Sequence, residues 1–173
     1  MIRSLAFAIC VFPVALDAQQ EGAPKPAALE IAFLASGYTL SLSVPASEIV
    51  GFDLPASSAE EKAKVAVAIS DLSQPMTLFA VTAEAGCATA TANVALVGGE
   101  AGSALGSDDH RPEFQAEYTI RCSNLQALGE MRFDYFDRFS QAERVDVRVQ
   151  SPGGSHAVAV TRETPLVDLS ELM

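Results

Sequence analysis

The stretch LEIAFLASGYTLSLSV, residues 29–44, decides the fold of this chain. Apolar side chains alternate with other side chains in both of its halves, and Ser36-Gly37 separates the halves. A period of two places the apolar side chains of a β-strand on one face. The stretch therefore predicts a β-hairpin with one buried face. The apolar positions are Leu29, Ile31, Phe33, Leu40, Leu42 and Val44.

Strand patterns recur along the rest of the chain. The strictest alternation is FQAEYTIRC, residues 114–122, which places Cys122 on the buried face of its strand. Short apolar runs or runs rich in threonine and valine, bounded by turn residues, predict further strands. These are Met76–Val81, Cys87–Val97, Met131–Phe136, Val145–Val149 and Ala157–Thr161. Short turns between consecutive strands favour antiparallel pairing.

One segment has helical spacing. Ser57 or Ser58 precedes Glu60 and Glu61 as a helix cap would, and Pro75 follows the end of the apolar pattern. The pattern predicts a helix near residues 58–72, and Asn124–Leu128 predicts one helical turn at most. Pro45–Pro55 predicts a loop or short turn that inserts Phe52 into the core. The predicted fold class is α+β: a mostly antiparallel meander or sandwich of seven to eight strands with one main helix.

The first 18 residues have the pattern of a secretory signal peptide. Arg3 gives a basic start, Leu5–Leu16 is an apolar run that contains Pro13, and Ala18 is a small residue at a cleavage position. Cleavage after Ala15, or a residue or two beyond Ala18, is an alternative. A membrane anchor is the competing interpretation, but the run is far shorter than the roughly 20 residues that span a bilayer. Cys10 lies within this leader and is removed with it.

Composition limits what the exported part can be. Residues 19–27 predict a flexible lead-in, and residues 28–170 are long enough for a single domain. The net charge of −11 opposes binding to nucleic acid and to anionic lipid, and no insertion into a membrane is expected after leader cleavage. An acidic surface suits a protein that handles cations, and it equally suits an exported protein that only needs to stay soluble.

Two cysteines remain after the leader, Cys87 and Cys122. In an oxidising compartment, an even pair at this separation predicts a disulfide. The alternatives are a thiolate metal site and a redox pair. Neither a C-x-x-C spacing nor a histidine beside either cysteine supports them.

No catalytic residues are predicted. The histidines are His110 and His156, and neither accompanies a G-x-S-x-G elbow. The sequence also contains no P-loop and no dinucleotide-binding fingerprint. We therefore expect a protein that is not an enzyme.

A metal site is the stronger hypothesis. The glycine-rich stretch Gly98–Pro112 predicts a flexible surface loop between two strands. Three carboxylates and one imidazole lie within six residues at its end, and such a loop can wrap a cation. The alternative is that these side chains only keep the loop soluble. The candidate ligands are Asp108, Asp109, His110 and Glu113, whereas His156 is more typical of an edge strand than of a ligand set.

The order of several motifs resembles that of the ZrgA family, from about Leu29 to Leu169. These motifs are the Leu-x-Ile-x-Phe hairpin followed by Gly37, Pro45-Ala-Ser-Glu-Ile-Val-Gly-Phe52, the helix ending near Leu72, Pro75 with Leu78-Phe79, Ala85-Gly-Cys87, Phe114-x-Ala-x-Tyr118 before Cys122, and the aromatic run Phe133–Phe139 before Glu143-Arg144-Val145. Cys87 and Cys122 match the cysteine pair of the family.

The resemblance implies a periplasmic protein of Gram-negative bacteria that binds zinc and assists zinc uptake, together with a transporter's solute-binding protein. Family members carry a histidine where Pro26-Ala27-Ala28 stands here, and a longer, histidine-rich loop where Gly98–Pro112 stands. One imidazole with carboxylates predicts a weaker and less selective zinc site. The alternative function is a non-catalytic periplasmic protein-interaction module that has lost metal binding.

Overall fold

A computed structural model describes residues 26–98 and 111–170 of the chain. The strands are β1 (Ala27–Leu34), β2 (Gly37–Pro45), β3 (Phe79–Val81), β4 (Cys87–Val97), β5 (Glu113–Cys122), β6 (Glu130–Phe133), β7 (Arg144–Ser151), β8 (Gly154–Thr161) and β9 (Leu166–Asp168). The helices are α1 (Ala46–Val50), α2 (Ala59–Leu72), α3 (Pro75–Leu78) and α4 (Tyr135–Arg138), with short 3₁₀ turns at Ala83–Ala85 and Leu125–Ala127. This architecture confirms the α+β class.

A six-stranded sheet with the order β4-β5-β2-β1-β7-β8 is the larger of two sheets. The predicted hairpin forms its centre, where β1 pairs with β2 from Ala28–Ser43 to Leu34–Gly37. All neighbours are antiparallel except β1 and β7. The expectation of antiparallel pairing is wrong there because it applies to consecutive strands joined by short turns, whereas five other strands separate β1 from β7 in the chain.

A second sheet contains three short strands in the order β3-β6-β9. Strand β9 is missing from the sequence-based prediction because three residues are too few to establish an alternation. Its central residue, Val167, is nonetheless buried, and β9 pairs with β6 from Glu130–Asp168 to Arg132–Leu166. The buried residues of both sheets form one continuous cluster.

The main helix begins and ends close to the predicted limits. Ser58 is its N-cap: its hydroxyl accepts a hydrogen bond from the Glu61 amide at 3.1 Å, and the Glu61 carboxylate accepts one from the Ser58 amide at 2.9 Å. This reciprocal pair satisfies two amides that a helix start leaves unpaired. At the other end, the buried Tyr118 hydroxyl of β5 donates to the Leu72 carbonyl at 2.7 Å and so ties the helix to the sheet.

Three predicted segments differ from the structure. Pro75 begins the helical turn α3, so the strand predicted over Met76–Val81 contains only Phe79–Val81. The strand predicted over Met131–Phe136 ends at Phe133 because Tyr135–Arg138 is helical. Residues of the Pro45–Pro55 segment form α1, which ends at Gly51 in the left-handed conformation (φ 78°).

The proposed insertion of Phe52 into the core is wrong. Phe52 is only partly buried, and the side chains from this segment that pack against the core are Ile49, Val50 and Leu54. The apolar pattern could not distinguish these candidates because Gly51 reverses the chain between them. None of the helices in the described ranges is long and apolar enough to cross a membrane.

Candidate metal-binding site

Glu113 is the one proposed metal ligand that falls within the described residues. It is the first residue of β5 and points to the face of the large sheet that lies opposite the core, since its neighbour Phe114 is fully buried. Its carboxylate accepts hydrogen bonds from the Ser43 hydroxyl at 3.0 Å and from the side-chain amide of Gln115. Asp108, Asp109 and His110 lie outside the described residues.

The strands on either side of residues 98–112 are neighbours in the sheet. Val97, the last residue of β4, is the register partner of Glu113. The chain therefore leaves and re-enters the sheet at paired positions, and Glu113 lies where the segment of the predicted loop rejoins the sheet. The carbonyl of Pro112 also accepts a hydrogen bond from the Ala46 amide at 2.9 Å, which fixes the start of β5 against α1.

The sheet face that carries Glu113 is polar and contains several carboxylates. A shallow depression of about 470 Å³ lies over Ser41, Ser43 and Ala28, with Glu117, Glu30, Asp146 and Arg148 among its lining residues. The Ser41 hydroxyl donates to Glu117 at 2.7 Å, and the Gln150 amide donates to Glu30 at 2.5 Å. Hydroxyl and amide donors thus hold the carboxylates in place on this face.

Within residues 26–98 and 111–170, no group of three histidine, cysteine or acidic side chains is close enough to hold a metal ion. The described side chains near Glu113 supply oxygen atoms, which calcium and magnesium prefer, and no imidazole. A zinc site that uses Glu113 therefore needs ligands from outside the described ranges.

The second histidine is distant from Glu113 in the sheet. His156 lies in the outer strand β8, opposite Val149 of β7, and its side chain is exposed. Glu113 lies four strands away, in β5. The two residues consequently do not form one site, in agreement with the sequence-based separation of His156 from the ligand set.

The predicted disulfide is confirmed. Cys87 and Cys122 are register partners at one end of the β4–β5 pair, with a Cα–Cα distance of 3.9 Å. Cys122 lies on the core side of β5, as predicted, and both cysteines are partly buried beside the core. The disulfide closes the end of the hairpin opposite to the loop of residues 98–112.

Two buried polar atoms, one of them on α1, were not predicted from the sequence. One carboxylate oxygen of Glu48 and the hydroxyl of Tyr135 are buried without a hydrogen-bond partner among the described residues. Burial, and secondarily the charge of Glu143, raises the pKa of Glu48. Burial, and secondarily the charge of Glu48, raises the pKa of Tyr135. The sequence signal was weak, because Glu48 lies among apolar residues in a segment without a clear period.

A further missed contact fixes the chain after α4. The guanidinium of Arg162 donates to four backbone carbonyls, at 2.6 to 3.1 Å, and lies 5.8 Å from the centre of the Phe136 ring. The carbonyls belong to Phe136, Phe139, Ser140 and Ala142. Nothing in the local pattern around Arg162 indicated this role, because its partners are 20 or more residues away in the chain.

A family-level comparison covers nearly all of this structure. The model of the ZrgA family, described as zinc uptake proteins, matches residues 18–169. None of the curated proteins matches the chain. The matched range contains both sheets, the disulfide, Glu113 and the loop that precedes it. The resemblance seen in the order of the motifs is thereby confirmed, and the chain belongs to the ZrgA family of zinc uptake proteins.

Proposed function

We propose that this chain is a non-catalytic periplasmic accessory protein that binds zinc and works with the solute-binding protein of a zinc transporter. The observation that carries the proposal is the family match over residues 18–169. The signal-peptide pattern of the first 18 residues supports export to the periplasm of a Gram-negative cell. The absence of a nucleophile motif from the sequence supports a binding role rather than a catalytic one.

Zinc binds, in this proposal, to Asp108, Asp109, His110 and Glu113. The position of Glu113 supports this ligand set, because its carboxylate lies where the loop joins β5 and its hydrogen bonds to Ser43 and Gln115 orient it. Zinc accepts imidazole nitrogen and carboxylate oxygen ligands. A set with a single imidazole binds zinc weakly and discriminates poorly against calcium and magnesium.

Calorimetric titration of the untagged mature protein tests the ligand set. We expect saturable zinc binding in the micromolar range, a loss of at least about tenfold in affinity for His110→Ala, and a smaller loss for Glu113→Gln. His156→Ala is the matched control, since it removes the other histidine and should leave the affinity unchanged. Absence of heat with zinc at high micromolar concentration, or equal losses in both histidine variants, contradicts the proposal.

An interaction module without metal binding is the second candidate function. It is favoured by the sequence of residues 98–112, which retains a single histidine, His110. Growth of a deletion strain under zinc limitation separates the two functions. If the His110→Ala protein restores growth as well as the unaltered protein, then partner binding and not zinc binding is the function. Failure of His110→Ala with success of His156→Ala supports the zinc-binding role.

The proposed partner can be tested separately. The purified solute-binding protein of the organism's zinc transporter should bind the mature chain in sedimentation velocity experiments, with and without zinc. Binding that occurs only with zinc supports a shared or transferred ion, whereas absence of binding in both conditions contradicts the partnership.

A further inference from the structure

One edge of the large sheet is formed by β8. Strand β8 pairs with β7 on one side, and on its other side it has no partner strand within the described ranges. The backbone N–H and C=O groups along such an edge can pair with another strand. The eight residues of β8 are all exposed except for Val160, which is buried, and Thr161, which is partly buried.

Within the described residues, strand β8 lacks the features that usually prevent pairing at a sheet edge. It contains no charged residue and no proline, and its register with β7 is regular from Arg144–Thr161 to Ser151–Gly154. Natural edges are commonly interrupted by lysine, proline or a bulge. The opposite edge, β4, has such an irregularity between Thr89 and Thr91. The outer strands of the small sheet, β3 and β9, contain three residues each.

An apolar side chain is exposed at the middle of this edge. Val158 is 40% exposed, although it lies on the core side of the sheet opposite Val147, which is buried. Its neighbours Ala157 and Ala159 are small and exposed, so they leave the backbone of β8 accessible. A strand added at this edge would cover Val158 as well as pair its backbone groups.

We propose that β8 is a dimerisation edge that pairs, antiparallel, with β8 of a second copy of this chain. The net charge of the chain is the reason for choosing a second copy as the partner of β8. The chain carries a net charge of −11, so most of its surfaces repel a copy of themselves, whereas β8 is an uncharged stretch of eight residues. A two-fold axis makes the two halves of such an interface identical.

The register of this pair follows from the symmetry. A two-fold axis perpendicular to the sheet requires one residue to face its own copy. We place Val158 at this position because its apolar side chain is exposed. His156 then lies opposite Val160 of the second copy, and Ser155 lies opposite Thr161. The charged residues after β8, Arg162 and Glu163, lie beside Gly154 and Gly153 of the second copy. No like charges are brought together along the paired strands.

Sedimentation velocity from about 1 µM to about 500 µM tests the proposal. An eight-residue edge buries little surface, so we expect a weak dimer that dissociates on dilution. Val158→Lys should remove at least nine-tenths of the dimer at the highest concentration, because it places two ammonium groups opposite each other. Val67→Lys, at a 52% exposed position of α2, is the matched control and should remain dimeric.

Cooperative thermal unfolding of both lysine variants at about 1 µM, where both are expected to be monomeric, shows that they are folded. A chain that is monomeric at every concentration overturns the proposal, as does a Val158→Lys protein that still dimerises. Oxidation of Val158→Cys tests the register independently, since residues facing each other across antiparallel strands have Cα atoms about 4.5–5.5 Å apart, within disulfide range. The proposal predicts rapid formation of a linked dimer for Val158→Cys and not for Val67→Cys, and equal rates contradict the register.

Discussion

The raised pKa of Glu48 predicts that the stability of this protein depends on pH. Its folded-state pKa is raised by burial and by Glu143, so the folded state holds the proton more tightly than the unfolded state does. The resulting stabilisation is present below the ordinary glutamate pKa and is lost as the pH rises through the folded pKa. Glu61 acts in the opposite direction: hydrogen bonds from Ser58 and Ser57 lower its pKa to about 2, and its contribution is lost in acid.

Glu48→Gln should therefore remove the part of the pH dependence that lies above the ordinary glutamate pKa. We expect the variant to gain stability relative to the unaltered protein as the pH rises from about 4 to about 8. Urea unfolding at a series of pH values measures this difference. Glu60→Gln, at a carboxylate that is 80% exposed, controls for the loss of one negative charge. A stability difference for Glu48→Gln that does not change with pH contradicts the prediction.

The Arg162 side chain is exposed overall, yet it donates hydrogen bonds to four backbone carbonyls. Arg162→Lys should lower the free energy of unfolding by about 2 kcal/mol or more, because a single ammonium group cannot reach four carbonyls that the planar guanidinium bridges. Arg144→Lys is the matched control. Arg144 pairs with Asp146 on the surface, with 56% of its side chain exposed, so its replacement should cost less than about 1 kcal/mol. Equal losses in urea unfolding would refute the special role of Arg162.

We expect the β4–β5 hairpin to depend on its disulfide for stability but not for its register. The double variant Cys87→Ala/Cys122→Ala should lose about 4 kcal/mol of unfolding free energy, from the chain-entropy estimate for a separation of 35 residues. The ten paired positions along the two strands should keep the hairpin in register. Urea unfolding measures the loss, and far-UV circular dichroism of the folded variant measures the retained strand content. A loss below about 1 kcal/mol contradicts the estimate.

How well each element could be predicted depended on the range of the interactions that form it. Residues 29–44 and 114–122 form the predicted strands because alternation and register are properties of the local sequence. The end of β6 at Phe133 was not predictable in this way. Tyr135 and Phe136 are aromatic and suit a strand, but they turn into α4, where they are buried with Phe79 and Phe133 in an aromatic cluster. Tertiary packing overrides local preference at that point.

The pairing of distant strands and the surroundings of the candidate site were harder to predict from the sequence than the individual strands. The parallel pairing of β1 and β7 joins segments more than 100 residues apart, and no short turn signals it. The position of Glu113 at the base of a loop between neighbouring strands was predictable from the flanking strand patterns. The raised pKa of Glu48 was not predictable, because it arises from burial next to Tyr135 and Glu143. Burial of a polar group depends on the complete fold.

The β4–β5 hairpin, which the disulfide closes, affects how the sequence of this domain can diverge during evolution. The disulfide joins β4 and β5 at one end of the hairpin. The paired residues Val97 and Glu113 join the strands at the other end, next to residues 98–112. Doubling the length of a loop between fixed ends costs only about 0.6 kcal/mol. Insertions, deletions and exchanges of histidine for other residues can therefore accumulate there while the sheet persists. Selection can therefore alter the residues of this segment without redesigning the scaffold.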